Sequence, residues 1–335
     1  MSRRPRQTVV QRKNDPYIYL YVMGEWYCYN PLDPPLGSGA MGDVYRGFRC
    51  INGAPVAVKR VKDYYANNKM IRERAQQEAS LAFRHPNLVE MIGICEYAPD
   101  SGPIFLISNF VYGEEVDKYI KGISNPDMKI EKICNVACSV LDALEYVHSR
   151  GVIHRDIKPS NIMIENGSNV RLMDLGISRM NGGNKFSTIG FIGTPQYSAP
   201  EQIKRGEGNG NTIIDATTDI YELGITFYEL LTGENPMDSD TDVETLSRQI
   251  TQPLPASPLI PKKLMQVIWK ATEKEQSRRY QSAAEFKKAI QEALLPDPPL
   301  SQRIAEWIKK NIITVVCIVF AVVLLLIFLI LIIAK

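Results

Sequence analysis

Histidine is scarce in this chain and cysteine is scattered. Of 335 residues three are histidines, and the six cysteines (Cys28, Cys50, Cys95, Cys134, Cys138 and Cys317) contain no C-x-x-C pair. That speaks against a zinc or disulfide framework and for reduced thiols in a reducing compartment. An excess of one charge is lacking too. Lys and Arg total 39 against 37 for Asp and Glu, a net charge of +2, so bulk charge gives no reason to expect nucleic-acid binding. No apolar run follows Arg3, Arg4 and Arg6, which speaks against a cleaved secretory signal. No internal repeat is found. What remains, 45% hydrophobic and 23% charged residues, is a globular composition. The length allows one large domain or two ordinary ones.

Residues 1–15 are basic and polar and are expected to form a mobile tail. Residues 17–29 are rich in aromatics and read as a strand or a packed extension, so 1–29 is taken as an N-terminal extension. From about 30 to 110, short β-branched runs dominate, broken by one helical stretch near 69–83. From about 113 to 295, helical periodicity dominates, as in 129–149 and 261–275. The expected architecture is α+β, a small β-rich lobe and a larger helical lobe with a cleft between them.

Residues 296–300 break the pattern and open a linker, 296–311. Residues 312–334 carry no charge, and nineteen are Ile, Leu, Val or Phe. As a helix they reach ~35 Å, enough for a hydrocarbon core of ~30 Å. At roughly −0.3 to −0.6 kcal/mol per apolar residue, insertion is favoured by at most ~6–11 kcal/mol. A core helix rarely runs so long with no charge and Thr314 as its one hydroxyl. Arg303, Lys309 and Lys310 precede the run, with Trp307 at interfacial depth, and Lys335 follows it. The expectation is a C-terminal single-pass anchor with the preceding domain in the cytosol. Residues 300–310 fit a short amphipathic helix on the membrane surface.

Four motifs carry chemistry. The first is Leu36-Gly37-Ser38-Gly39-Ala40-Met41-Gly42-Asp43-Val44. Alone it is weak, since dinucleotide folds share the glycine spacing. There a helix must follow, whereas here Val44-Tyr45-Arg46-Gly47-Phe48 reads as a strand, which argues against a nucleotide-binding oxidoreductase. A Gly-rich hairpin lets backbone N–H groups approach phosphates, and Lys59, in Val56-Ala57-Val58-Lys59, is placed to pair with them. The second motif is His154-Arg155-Asp156-Ile157-Lys158-Pro159-Ser160-Asn161. The third is Met173-Asp174-Leu175-Gly176. The fourth is Gly193-Thr194-Pro195-Gln196-Tyr197-Ser198-Ala199-Pro200-Glu201. An isolated Asp-Leu-Gly is most often a turn. All four in this order are not expected by chance.

Together they resemble the eukaryotic-type (Hanks-type) serine/threonine protein kinases, bacterial members in particular, over roughly residues 30–295. The resemblance implies a lobe at 30–110 and another at 113–295. It implies that Gly37, Gly39 and Gly42 cover the phosphates of ATP, with Leu36, Val44 and Ala57 against the adenine. Lys59 would hold the α- and β-phosphates, and Asp156 would accept the proton of a substrate hydroxyl. Lys158 would neutralise the transferred phosphoryl, and Asn161 and Asp174 would bind Mg²⁺. Lys158 within Asp-Ile-Lys-Pro-Ser-Asn resembles the Ser/Thr pattern, so the expected partners are ATP and proteins bearing Ser or Thr. Glu201 with Arg279 resembles a buried ion pair, and Asp219 the residue that braces the catalytic loop.

The acidic partner of Lys59 departs from the pattern. The usual spacing before His85-Pro86-Asn87 lands on Gln76. Glu78 fits if the helix is two residues shorter, Glu73 fits less well, and Glu78 is chosen. Ser108 falls at the gatekeeper position and should leave a pocket behind the adenine. Arg155 is of the type that pairs with a phosphorylated activation loop, with Thr188, Ser187 and Thr194 as candidates and Thr194 alternatively serving the catalytic loop. The alternative to an active enzyme is a membrane-bound pseudokinase scaffold that binds ATP without turnover. Confinement to a membrane favours transient self-association and phosphorylation in trans.

Overall fold

The computed structural model describes residues 8–39, 42–63, 69, 72–73, 75–76, 83–97, 102–174, 194–206, 212–296 and 299–333. They fall into two compact units, the first ending at Ala293 and the second running from Leu294.

The first lobe is an antiparallel sheet. Its strands are β1 (Val9–Gln11), β2 (Ile18–Val22), β3 (Glu25–Tyr29), β4 (Gly37–Ser38), β5 (Gly42–Arg49), β6 (Pro55–Val61), β7 (Met91–Glu96) and β8 (Ile104–Asn109). The order is β1-β2-β3-β5-β6-β8-β7, with β4 paired to β5. Alternation in β2 and β3 sends Leu20, Val22, Tyr27 and Tyr29 into a core with Val56, Val58, Phe105 and Ile107. The β2–β3 turn is Met23-Gly24, both with positive φ (48° and 89°), the geometry whose twist suits a two-residue hairpin.

The N-terminal segment differs from expectation. Residues 8–11 are not a tail. The Thr8 hydroxyl donates to the Glu96 carbonyl (2.7 Å), and the Thr8 carbonyl accepts from the Tyr21 amide (2.7 Å) and the Cys95 thiol (3.1 Å). The sheet therefore curls until its two outer strands meet. Three residues of Val-Val-Gln are too short to show strand periodicity, and their partner at the closure is far away in sequence.

The second lobe begins with β9 (Gly113–Glu115), which joins β10 (Ile162–Glu165) and β11 (Asn169–Leu172) in the order β11-β10-β9. Its helices are α1 (Val116–Lys121), α2 (Pro126–His148), α3 (Pro200–Gly206), α4 (Ala216–Thr232), α5 (Asp242–Thr251), α6 (Lys262–Ala271) and α7 (Ala283–Leu294). Helix α2 starts where Asn125 accepts from the amides of Asp127 and Met128, with Pro126 supplying a ready-set φ. Helix α4 starts at the Asp215 cap and stops at Gly233 (φ 86°). It is buried nearly all round and sits in the core with Leu141, Leu144, Ile268 and Phe286.

In the second unit, α8 (Leu300–Lys310) and α9 (Ile312–Ile333) are separated at Asn311, whose side chain donates to the Trp307 carbonyl (2.9 Å). The described side chains of α9 end at Leu324. Among the described residues no helix is long and apolar enough to cross a membrane. The span expected at 312–334 rests on the sequence of α9.

Candidate active site

Strands β5 and β6 build one wall. Their register sets Val44 opposite Lys59 and Arg46 opposite Ala57, and β8 sets Ser108 opposite Ala57 and Leu106 opposite Lys59. Ala57, Lys59 and Ser108 thus share one face, as a gatekeeper reading of Ser108 requires. The Leu36 amide donates to the Val44 carbonyl (2.7 Å), which closes the hairpin. The glycines divide in role. A Cβ on Gly42 would collide with the Arg60 carbonyl oxygen, so the sheet itself demands glycine there. A Cβ on Gly37 would meet nothing, and one on Gly39 only the Gly42 oxygen at 3.7 Å, so the turn leaves open space above its backbone.

The opposite wall is the 154–161 loop. Asp156 Oδ2 accepts from Asn161 Nδ2 (3.1 Å) and lies 3.2 Å from Lys158 Nζ. Asp156 Oδ1 accepts from the Thr194 hydroxyl (3.1 Å), which in turn accepts from Lys158 Nζ (3.0 Å). Of the two roles expected for Thr194, the structure has it serving the catalytic loop. Asn161 Nδ2 also donates to the Asp156 carbonyl (2.8 Å), so its amide nitrogen is committed and Oδ1 is turned away.

Across the cleft, Lys59 Nζ meets Asp174 Oδ2 at 2.9 Å. That ammonium holds the Asp174 carboxyl below its ordinary range, against the upward push of burial. Asp174 sits at φ 47°, a left-handed conformation that aspartate tolerates better than most residues. Asn161 Oδ1 and an ionised Asp174 are hard oxygen donors. Among the described residues no three His, Cys, Asp or Glu cluster to cage a metal unaided. Two such donors, completed by phosphate oxygens and water, are what Mg²⁺ ordinarily takes, so the residues fit Mg²⁺ with ATP.

The loop is held from below by α4. Asp219, fully buried, accepts from the amides of His154 (2.8 Å) and Arg155 (2.7 Å) and lies 2.6 Å from His148 Nε2. Burial pushes its carboxyl up, but these partners outweigh it and leave it low. Buried His154 is held below its usual pKa chiefly by desolvation. Its Nε2–H donates to the Met173 carbonyl (2.9 Å), and Nδ1 accepts from the Asp156 amide (3.3 Å), which fixes the neutral tautomer. Arg155, with φ 66°, is buried.

Three supports were not foreseen: His148, Gln202 and Glu222. Glu222 accepts from the Ile157 amide (2.8 Å) and from Gln202 Nε2 (2.8 Å), and Gln202 Oε1 accepts from the Ala199 amide (2.6 Å). The signal for Glu222 was available, a carboxylate inside an apolar helical run like Asp219 three residues earlier. Glu201 and Arg279 form the expected buried pair, doubly bonded at 2.7 and 2.9 Å.

Among the candidates for the partner of Lys59, Gln76 donates to Glu96 Oε2 (3.1 Å) and the exposed Glu73 lies 3.9 Å from Lys69. Neither is engaged with Lys59. Glu78 lies outside the described residues, as do Leu175, Gly176, Ser187 and Thr188.

A glycine hairpin with open space over its backbone, a lysine–aspartate pair and a braced Asp-Lys-Asn loop are the parts that phosphoryl-transfer sites of two-lobed proteins use. The protein kinase domain model matches residues 32–308, and the chain belongs to the protein kinase family. It is 32% identical over 277 residues to a probable serine/threonine-protein kinase of Streptomyces coelicolor, covering 80% of this chain and 40% of that one. It is 32% identical over 281 residues to the serine/threonine-protein kinase PknB of Mycobacterium tuberculosis, covering 80% and 43%. The chain thus spans about two fifths of the length of these curated relatives. The PknI kinase domain of M. tuberculosis shares the fold at TM-score 0.60 and 24% identity, over 80% of this chain and 95% of that one.

Proposed function

We propose that this chain is a membrane-anchored serine/threonine protein kinase. It transfers the γ-phosphoryl group of ATP to Ser or Thr hydroxyls of protein substrates, its own copies included. One observation carries this reading: Lys59, Asp174, Asn161, Asp156 and Lys158 converge on one cleft, each acid ionised or held by a cation.

Asp156 accepts the proton of the incoming hydroxyl. Its carboxylate is pinned by Asn161 and Thr194, so it is pre-aimed rather than recruited. Lys158 lies between Asp156 and Thr194, where a cation neutralises negative charge spreading during transfer. Asn161 and Asp174 would hold Mg²⁺, Lys59 the α- and β-phosphates, and Gly37 and Gly39 would give the phosphates close backbone approach. ATP with Mg²⁺ supplies the phosphoryl group and its charge neutralisation. Anchoring is supported by the uncharged, strongly apolar sequence of α9 and by Lys309 and Lys310 before it, which favour a cytosolic catalytic domain.

The test is phosphate incorporation from labelled ATP by the full chain in membranes, beside Asp156→Ala and Lys59→Ala. Labelling on Ser or Thr that both variants lose supports the kinase. ATP binding without transfer would leave the scaffold alternative. Release of the chain from membranes by alkaline carbonate would refute the anchor independently.

A further inference from the structure

Two thiols lie on neighbouring strands of the first lobe, on the sheet face that also carries Ala57 and Lys59. Cys28 lies in β3, flanked across the sheet by Tyr19 of β2 and Phe48 of β5. Its neighbours Tyr27 and Tyr29 are buried, so strand alternation turns Cys28 outward. Cys50 follows β5, and its amide donates to the Trp26 carbonyl (2.8 Å). The register that sets Tyr27 opposite Arg49 therefore puts Cys50 beside Trp26, diagonal to Cys28 and on its face. The Cys50 thiol is close enough to raise the pKa of Cys28. Cys50 is exposed, Cys28 half-buried, and both are free thiols. The other neighbouring pair, Cys134 and Cys138 on α2, is different: Cys134 is fully buried and out of reach of a reagent.

We propose that Cys28 and Cys50 are a modification site that a peroxide-class oxidant converts to a cross-strand disulfide. The exposed Cys50 sulfur attacks one peroxide oxygen, the O–O bond breaks, and Cys50 becomes a sulfenic acid as one water leaves. The Cys28 sulfur then attacks the Cys50 sulfur, the S–O bond breaks, and the hydroxide departs with the Cys28 proton as a second water. Hydrogen peroxide gains two electrons and the two thiols lose them. The order of attack follows from the surroundings. Burial and the neighbouring Cys50 push the Cys28 thiol up to about 12, which makes it the resolving partner. Diagonal residues on paired strands lie about 7–8 Å apart. A disulfide reaches to about 7 Å between Cα atoms, so closing the bond requires the two strands to draw together. It also closes a loop that contains the whole 37–42 glycine turn.

The test treats the full chain with hydrogen peroxide, alkylates the remaining thiols, and maps peptides by mass spectrometry. The expected result is a linked Cys28–Cys50 peptide and two fewer alkylatable thiols out of six, both reversed by dithiothreitol. Cys50→Ser should abolish the link and leave Cys28 reduced. Cys28→Ala should leave Cys50 as a sulfenic acid that a cyclic diketone captures. The proposal is overturned if wild-type Cys28 stays alkylatable while Cys50 is over-oxidised, or if Cys50 joins a second copy of the chain instead.

Discussion

Asp219→Ala isolates what braces the catalytic loop. The carboxylate is fully buried and accepts two backbone amides, His154 at 2.8 Å and Arg155 at 2.7 Å, besides the His148 ring at 2.6 Å. Alanine leaves both amides without an acceptor. At about 1–3 kcal/mol per orphaned donor, the loss is about 2–6 kcal/mol. Arg155 is held at φ 66°, a conformation costing about 1–2 kcal/mol, and Asp219 helps to hold it. Released, the loop relaxes and carries Asp156 with it. A displacement of about 1 Å costs about 10²-fold in rate. Urea denaturation and phosphate transfer should be measured on the same preparation. Asp219→Asn, which keeps shape and one acceptor oxygen, should fall between wild type and alanine in both. An Asp219→Ala protein within about 0.5 kcal/mol of wild type, with unchanged turnover, would refute the reasoning.

Thr194→Ala should slow transfer about tenfold or more, because Asp156 Oδ1 loses its donor, while Thr194→Ser restores it; equal rates for both variants would make the methyl group, not the hydroxyl, the active feature. Arg279→Leu should destabilise by about 3–5 kcal/mol, since Glu201 is left buried and unpaired, and adding Glu201→Gln should recover part of that in calorimetry. Lys274 gives a pH dependence. Burial first, then the Arg279 charge, lowers it from 10.5 to about 8, so the folded chain binds fewer protons than the unfolded between those values. Stability from this group therefore rises as pH climbs from about 8 towards 10.5, by about 3 kcal/mol at most, and Lys274→Met should flatten that rise in denaturation curves. Ser108→Met should weaken inhibition by bulky ATP-competitive compounds, because the side chain opposite Ala57 then fills the space behind the adenine; unchanged inhibition would remove the gatekeeper reading.

That Lys59, Asp156, Lys158, Asn161 and Asp174 come together was legible because lysine, aspartate and asparagine keep fixed spacings within single loops. Asp156, Lys158 and Asn161 lie on one turn of chain, so sequence distance tracks spatial distance. The two lobes were legible from the switch in periodicity. The supports were harder to read. His148 reaches Asp219 from another helix, 71 residues away, and sequence reasoning has no handle on such a distance. The family spacing lands on Gln76, whose side chain is given to Glu96 rather than to Lys59. The Glu96 carboxylate accepts from both the buried Arg72 and the exposed Gln76. Strand β1 was missed because three residues carry no period.

That first strand has a consequence for how the chain is made. Thr8 leaves the ribosome before its acceptor does, and its hydroxyl waits for a carbonyl 88 residues further on. Until β7 and β8 are synthesised the sheet has no second edge, and Val9 and Ile18 lack the part of their core that Cys95, Phe105 and Ile107 supply. The part of the lobe translated first is therefore among the last to be placed. A chain built this way should be most prone to misassociation midway through synthesis, when an unpaired strand edge is displayed and its closing partner does not yet exist.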